Sequence, residues 1–89
     1  MPRPSQTDPV ERALVLILKR ERERVGISAT KLAEQIGISR TTITHLENDD
    51  ARPTFWVLRK IAAGLKVDIS ECVVEALEAE VKAKPNKKR

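Results

Sequence analysis

Aromatic residues number only two, Phe55 and Trp56, and tyrosine is absent from the 89 residues. No stretch alternates β-branched and polar residues either, so strands have little support and the fold expected is all-α. One cysteine, Cys72, excludes an intramolecular disulfide. One histidine, His45, has no second histidine or nearby cysteine in sequence, so neither a metal site nor a catalytic constellation is expected. A glycine-rich phosphate loop is lacking too, and the expectation is a non-enzymatic chain without cofactor. No apolar run approaches the ~20 residues that cross a bilayer. The opening MPRPSQTDP lacks the apolar core of a signal peptide. A cytoplasmic protein with a reduced cysteine and no membrane partner follows as an expectation.

Charge is present but unevenly placed. The formal net charge is +4, which by itself suggests an anionic partner. The tail KAKPNKKR (82–89), however, holds 5 of the 17 basic residues and no acid, leaving 12 basic against 13 acidic residues before it. Overall charge therefore does not argue for nucleic-acid binding, and only a local constellation can.

Helical spacing is plentiful. Asp8, Pro9 and Glu11 supply an N-cap, a proline at the first helical position and an early acid, opening a helix that runs to about Arg24. Its core face is Val10, Ala13, Leu14, Ile17 and Leu18, and Gly26 ends it in a left-handed conformation. Ser28 caps a second, short helix with Leu32, Ala33 and Ile36 inward, closed by Gly37. Ser39 caps a third, with Ile43 and Leu46 inward, ending near Asn48. Pro53 and Thr54 open a fourth helix with Leu58, Ile61, Ala62 and Leu65 at core spacing. Gly64 inside it costs roughly 1 kcal/mol relative to Ala, which suggests that a neighbour packs closely there. Asp68 and Glu71 form a capping pair for a fifth helix, Ile69 to about Ala83. One domain is expected over 9–83, between a disordered arm (1–8) and a basic disordered tail (84–89).

The segment GISATKLAEQIGISRTTITHLEN, followed by RPTFWVLRKIAAGLKVDISECV, resembles the helix-turn-helix domain of the phage repressor and Cro type, the Xre family. The likeness covers residues 18 to about 74, with 28–48 as the helix-turn-helix. It implies a lambda repressor-like five-helix bundle, which this chain is expected to form with extended first and last helices. It also implies a double-stranded DNA partner, with the front of the third helix entering the major groove. Arg40, Thr41, Thr44 and His45, on the outward face of that helix, are then the expected base-reading residues. An arginine grips guanine bidentately, and a threonine offers its hydroxyl or methyl group to a base edge. Phosphate contacts are expected from Ser28, Lys31, Ser39, Thr42, Asn48, Arg52, Thr54 and Phe55, the last two through helix-start amides. Many relatives contact the backbone with a glutamine where this chain has Ala29. Arg22 and Glu47 match positions that pair in relatives. Asp49 takes the place of a usual left-handed glycine, and Asp50 replaces a residue that is often basic.

Two features lie outside that minimal domain. On a helical wheel Val15 and Leu16 fall outside the core arc of the first helix. In SECVVEALEAEV, Ser70, Val74, Leu77 and Val81 form a stripe separate from Ile69, Val73 and Ala76. Val15, Leu16, Trp56, Val74, Leu77 and Val81 are therefore expected in a homodimer interface. The alternative is that the extension packs on its own first helix. The function expected is a dimeric, sequence-specific repressor. The competing reading is a protein-interaction module, such as an antitoxin, that binds a toxin or another regulator and contacts DNA weakly. Asp49, Asp50 and the near-neutral body favour the second reading modestly.

Overall fold

The computed structural model describes residues 8–83. Five helices follow one another: α1 Pro9–Val25, α2 Ala29–Ile36, α3 Arg40–Glu47, α4 Phe55–Leu65 and α5 Ile69–Ala83. No strand occurs among the described residues. The all-α five-helix bundle expected from composition and resemblance is what the chain forms, with α1 and α5 the longest helices. The tail and all of the arm except Asp8 lie outside the described residues.

Local chemistry sets the boundaries. The Asp8 carboxylate accepts from the Val10 and Glu11 amides. Ser28, Ser39 and Thr54 each accept from the amide three residues on, at 3.0 to 3.1 Å. These caps satisfy donors that the first turn of a helix leaves without partners, each worth about 1 kcal/mol. Asp68 accepts from the Ser70 amide at the start of α5. Gly26 and Gly37 end α1 and α2 at φ +79° and +73°, where a side chain would be strained.

Around these helices one core forms from Leu14, Ile17 and Leu18 of α1, Leu32 and Ala33 of α2, Ile43 and Leu46 of α3, four residues of α4, and Cys72 and Ala76 of α5. Leu32 and Ile43 are wholly enclosed, each contributing about 1.5–3 kcal/mol of burial. They lock α2 against α3. Gly64 lets α4 approach α2: a Cβ there would overlap the Ile36 and Leu32 side chains.

Val15 corrects the wheel reading. It is only 5% exposed and belongs to the core, not to an outer seam. The wheel assumed one neighbour, but α1 is flanked by α5 and also by α3 and α4. The second flank widens the buried arc, and Val15 lines a small pocket with Leu18, Leu46 and Leu58. Leu16 stays at the surface. α5 packs extensively along α1 through its Cys72 and Ala76 face, yet Val74, Leu77 and Val81 remain exposed. One face of the extension thus packs on its own first helix, and the stripe stays outside the core.

Candidate nucleic-acid interface

The candidate interface centres on α3, a helix of eight residues with one side turned into the core and the other outward. Ile43 and Leu46 anchor it inward, while Arg40, Thr41 and His45 are exposed and Thr44 is half-buried. Arg40, the first residue of the helix, is exposed. At the front of the helix Ser39 is committed to capping, and its hydroxyl also shares a 2.9 Å hydrogen bond with that of half-buried Thr42. Two further helix starts carry exposed polar groups, Ser28 with Lys31 on α2 and Thr54 on α4. Ala29 is half-buried against the core, where no glutamine contact is available.

The rear of α3 is closed with unusual completeness. Its last carbonyls would otherwise have no donors. The Asn48 amide donates to the Thr44 carbonyl, the Asp50 amide to that of His45, and the Asp49 amide to that of Leu46. This arrangement needs a left-handed residue, supplied by Asp49 at φ +62°, a conformation that aspartate tolerates better than most side chains. Arg12, in the first turns of α1, then donates from Nη1 to the Leu46 carbonyl at 2.9 Å and from Nη2 to the Glu47 carbonyl at 3.0 Å. A cation at that end also opposes the helix dipole, worth about 0.3–1 kcal/mol.

The Glu47 side chain is gripped separately. Arg22 donates to it from Nε at 2.8 Å and from Nη2 at 2.9 Å, and donates from Nη1 to the Ile27 carbonyl at 2.9 Å. Both side chains are 13% exposed, so this is a shielded, two-pronged pair and not a surface contact. The hydrogen bond from Arg22 to Glu47 holds the guanidinium pKa above its ordinary value, against a smaller opposing effect of burial.

Arg12 carries no signal in the sequence. Its partners are 34 and 35 residues away and are backbone atoms, which no side-chain pattern discloses. Arg20 bridges α1 to the carboxylate of Glu75 on α5, 55 residues away, and also binds the Glu21 carboxylate beside it. Arg52 is exposed, with its guanidinium 3.8 Å from the Glu11 carboxylate. Asn48 ends α3 at the surface.

The aromatic pair stands outside the core at the front of α4. Phe55 is 62% and Trp56 54% exposed, with Arg59 over the first ring and Lys60 over the second. Trp56 lines a shallow groove with Lys60, Val67 and Ile69. Val74, Leu77 and Val81 do not line that groove. Cys72 is buried, which pushes its thiol pKa up, with Glu21 and Glu75 adding to the effect. No group of three or more His, Cys, Asp or Glu that could hold a metal ion occurs among the described residues. No helix among them is long and apolar enough to cross a membrane.

A short, capped, inward-anchored α2 joined by a left-handed glycine to an α3 with an exposed front is the helix-turn-helix arrangement. The sequence matches the family HTH_3, Helix-turn-helix, over residues 18–72. The chain belongs to this helix-turn-helix family. Within it, the protein is 39% identical over 59 residues to the HTH-type transcriptional regulator SutR of Escherichia coli (strain K12). That match takes in 66% of this chain and 33% of the relative, so the chain spans about a third of the relative's length. In fold, the helix-turn-helix protein is similar to the restriction-modification controller protein C.Esp1396I. Against a point mutant of that protein the TM-score is 0.76 at 21% identity, covering 86% of this chain and 100% of the other. Against the wild type the TM-score is 0.70 at 22% identity, covering 79% and 94%.

Proposed function

We propose that this protein is a sequence-specific DNA-binding transcriptional regulator, a homodimeric repressor that lays α3 of each subunit in the major groove of a near-palindromic operator. The observation that carries the reading is the polarity of α3. Its rear is clamped by Arg12 and Arg22, whereas Arg40, Thr41 and His45 stand exposed at its front. Arg40 and Thr41 reach base edges first, followed by Thr44 and His45. Ser28, Lys31, Ser39, Thr42, Asn48, Arg52, Thr54 and Phe55 place the backbone, the helix starts contributing amides that favour phosphate. Kinship with a transcriptional regulator and fold likeness to a restriction-modification controller support the regulatory role.

Selection of bound duplexes from a random oligonucleotide pool tests this. A symmetric consensus with half-sites one helical turn apart is expected. No enrichment above input would refute DNA reading.

A second reading, an interaction module for a toxin or other regulator, is favoured by the exposed Phe55 and Trp56. It predicts capture of the product of a neighbouring gene by a chain that enriches no duplex.

A further inference from the structure

We infer that Arg12 is a positioning residue for DNA reading: by holding the last two carbonyls of α3 it fixes the tilt of that helix, and hence the placement of Arg40 and Thr41. The inference rests on the DNA-reading function proposed above.

Three observations lead to it. First, α3 is short, about 12 Å at 1.5 Å per residue, so a tilt of ~10° about its rear moves its front by about 2 Å. That exceeds the ~0.5 Å tolerance within which a reading group must be held. Second, backbone donors from Asn48, Asp49 and Asp50 satisfy the carbonyls of Thr44, His45 and Leu46, but they come from the turn that α3 itself carries along. They stiffen the rear of the helix without attaching it to anything. Third, Arg12 and Arg22 both belong to α1, a 17-residue helix packed along α5, and they grip different parts of the same end. Arg22 holds the flexible Glu47 carboxylate, whereas Arg12 holds main-chain oxygens of Leu46 and Glu47. A carboxylate on rotatable bonds lets the helix swing; two main-chain oxygens on a planar fork do not. Arg12 therefore defines orientation where Arg22 supplies attachment.

Arg12 donates inward to α3 and is half-buried, so it is not a phosphate ligand. That separates it experimentally from Arg40 or Lys31. Arg12→Met keeps the stem and removes the donors; Arg12→Lys keeps the charge and loses the fork. Each is compared with wild type on the duplex that the wild type enriches from a random pool and on poly(dI-dC), with the salt dependence of both.

The expected result for both variants is a loss of at least 10-fold on the enriched duplex, with poly(dI-dC) affinity and salt slope unchanged within twofold, Arg12→Lys losing less than Arg12→Met. Far-UV circular dichroism and Trp56 fluorescence report whether each variant is folded, and if Arg12→Met is not, Arg12→Lys decides. Binding of the enriched duplex within twofold of wild type overturns the role of Arg12. So does an equal loss on both duplexes with a shallower salt slope, which marks a phosphate contact. A wild-type chain that enriches no duplex overturns the DNA-reading function itself, and the inference with it.

Discussion

Two single residues carry conformations whose physical consequences can be measured. Gly64 sits where a Cβ would overlap Ile36 and Leu32. Gly64→Ala therefore overpacks the α2–α4 contact, a cost of about 1–3 kcal/mol that opposes the ~1 kcal/mol gain in helix propensity. Urea denaturation should show a net loss of stability; a gain would mean that α2 recedes freely. Lys66 is the opposite case. It ends α4 at φ +62°, a left-handed conformation that suits glycine and not lysine. Lys66→Gly should stabilise the fold by about 1 kcal/mol, read as a higher urea midpoint with an unchanged slope. The need for a small residue at 64 was legible from its cost inside a helix. Which side chains require it was not, because Ile36 and Leu32 arrive from another helix.

Between elements, two arginine–glutamate pairs tie α1 to its neighbours with different force. The shielded Arg22–Glu47 pair joins α1 to α3, and Arg22→Ala leaves a carboxylate enclosed without its partner. The expected cost is roughly 3–5 kcal/mol in chemical denaturation; a change below about 0.5 kcal/mol would place the pair among ordinary surface contacts. The Arg20 bridge from α1 to α5 is exposed, and its effect is visible through pH. Hydrogen bonding to Arg20 lowers the Glu75 pKa, and hydrogen bonds from Arg24 and then Arg20 lower that of Glu21. A carboxylate whose folded pKa lies below its unfolded value contributes stability above the unfolded value and loses it as pH falls through the folded one. Stability should therefore decline as pH drops below the ordinary glutamate range. Glu75→Gln should decline less over the same window, and parallel curves would show that the bridge contributes nothing.

At the scale of the whole molecule, the exposed apolar surface argues for assembly. Leu16 on α1 and Val74, Leu77 and Val81 on α5 remain outside the core after the chain has folded. On the proposed reading, one eight-residue helix meets few base pairs, and a second copy one helical turn away, about 34 Å, would supply the rest of a site. Leu77→Glu should convert a dimer to a monomer in sedimentation velocity at micromolar concentration while preserving the helical circular dichroism spectrum. A wild-type chain that sediments as a monomer with and without the enriched duplex would refute the dimer.

The sequence by itself determined the helices, most of their caps, the turns at Gly26 and Gly37 and most of the core, because these depend on neighbours within four residues; the left-handed Lys66 that ends α4 was not among them. Ser28, Ser39 and Thr54 cap for reasons written beside them, and Asp49 stands in for glycine on its own backbone. Tertiary structure alone decided matters that depend on residues distant in the chain. Val15 is buried because α1 has neighbours on two flanks, a fact that no single-helix wheel contains. Arg12 holds α3 because folding carries a first-turn side chain to carbonyls 34 and 35 residues away. Local spacing records which face of a helix is apolar; it does not record how many neighbours that helix has, nor which of its ends another helix will hold.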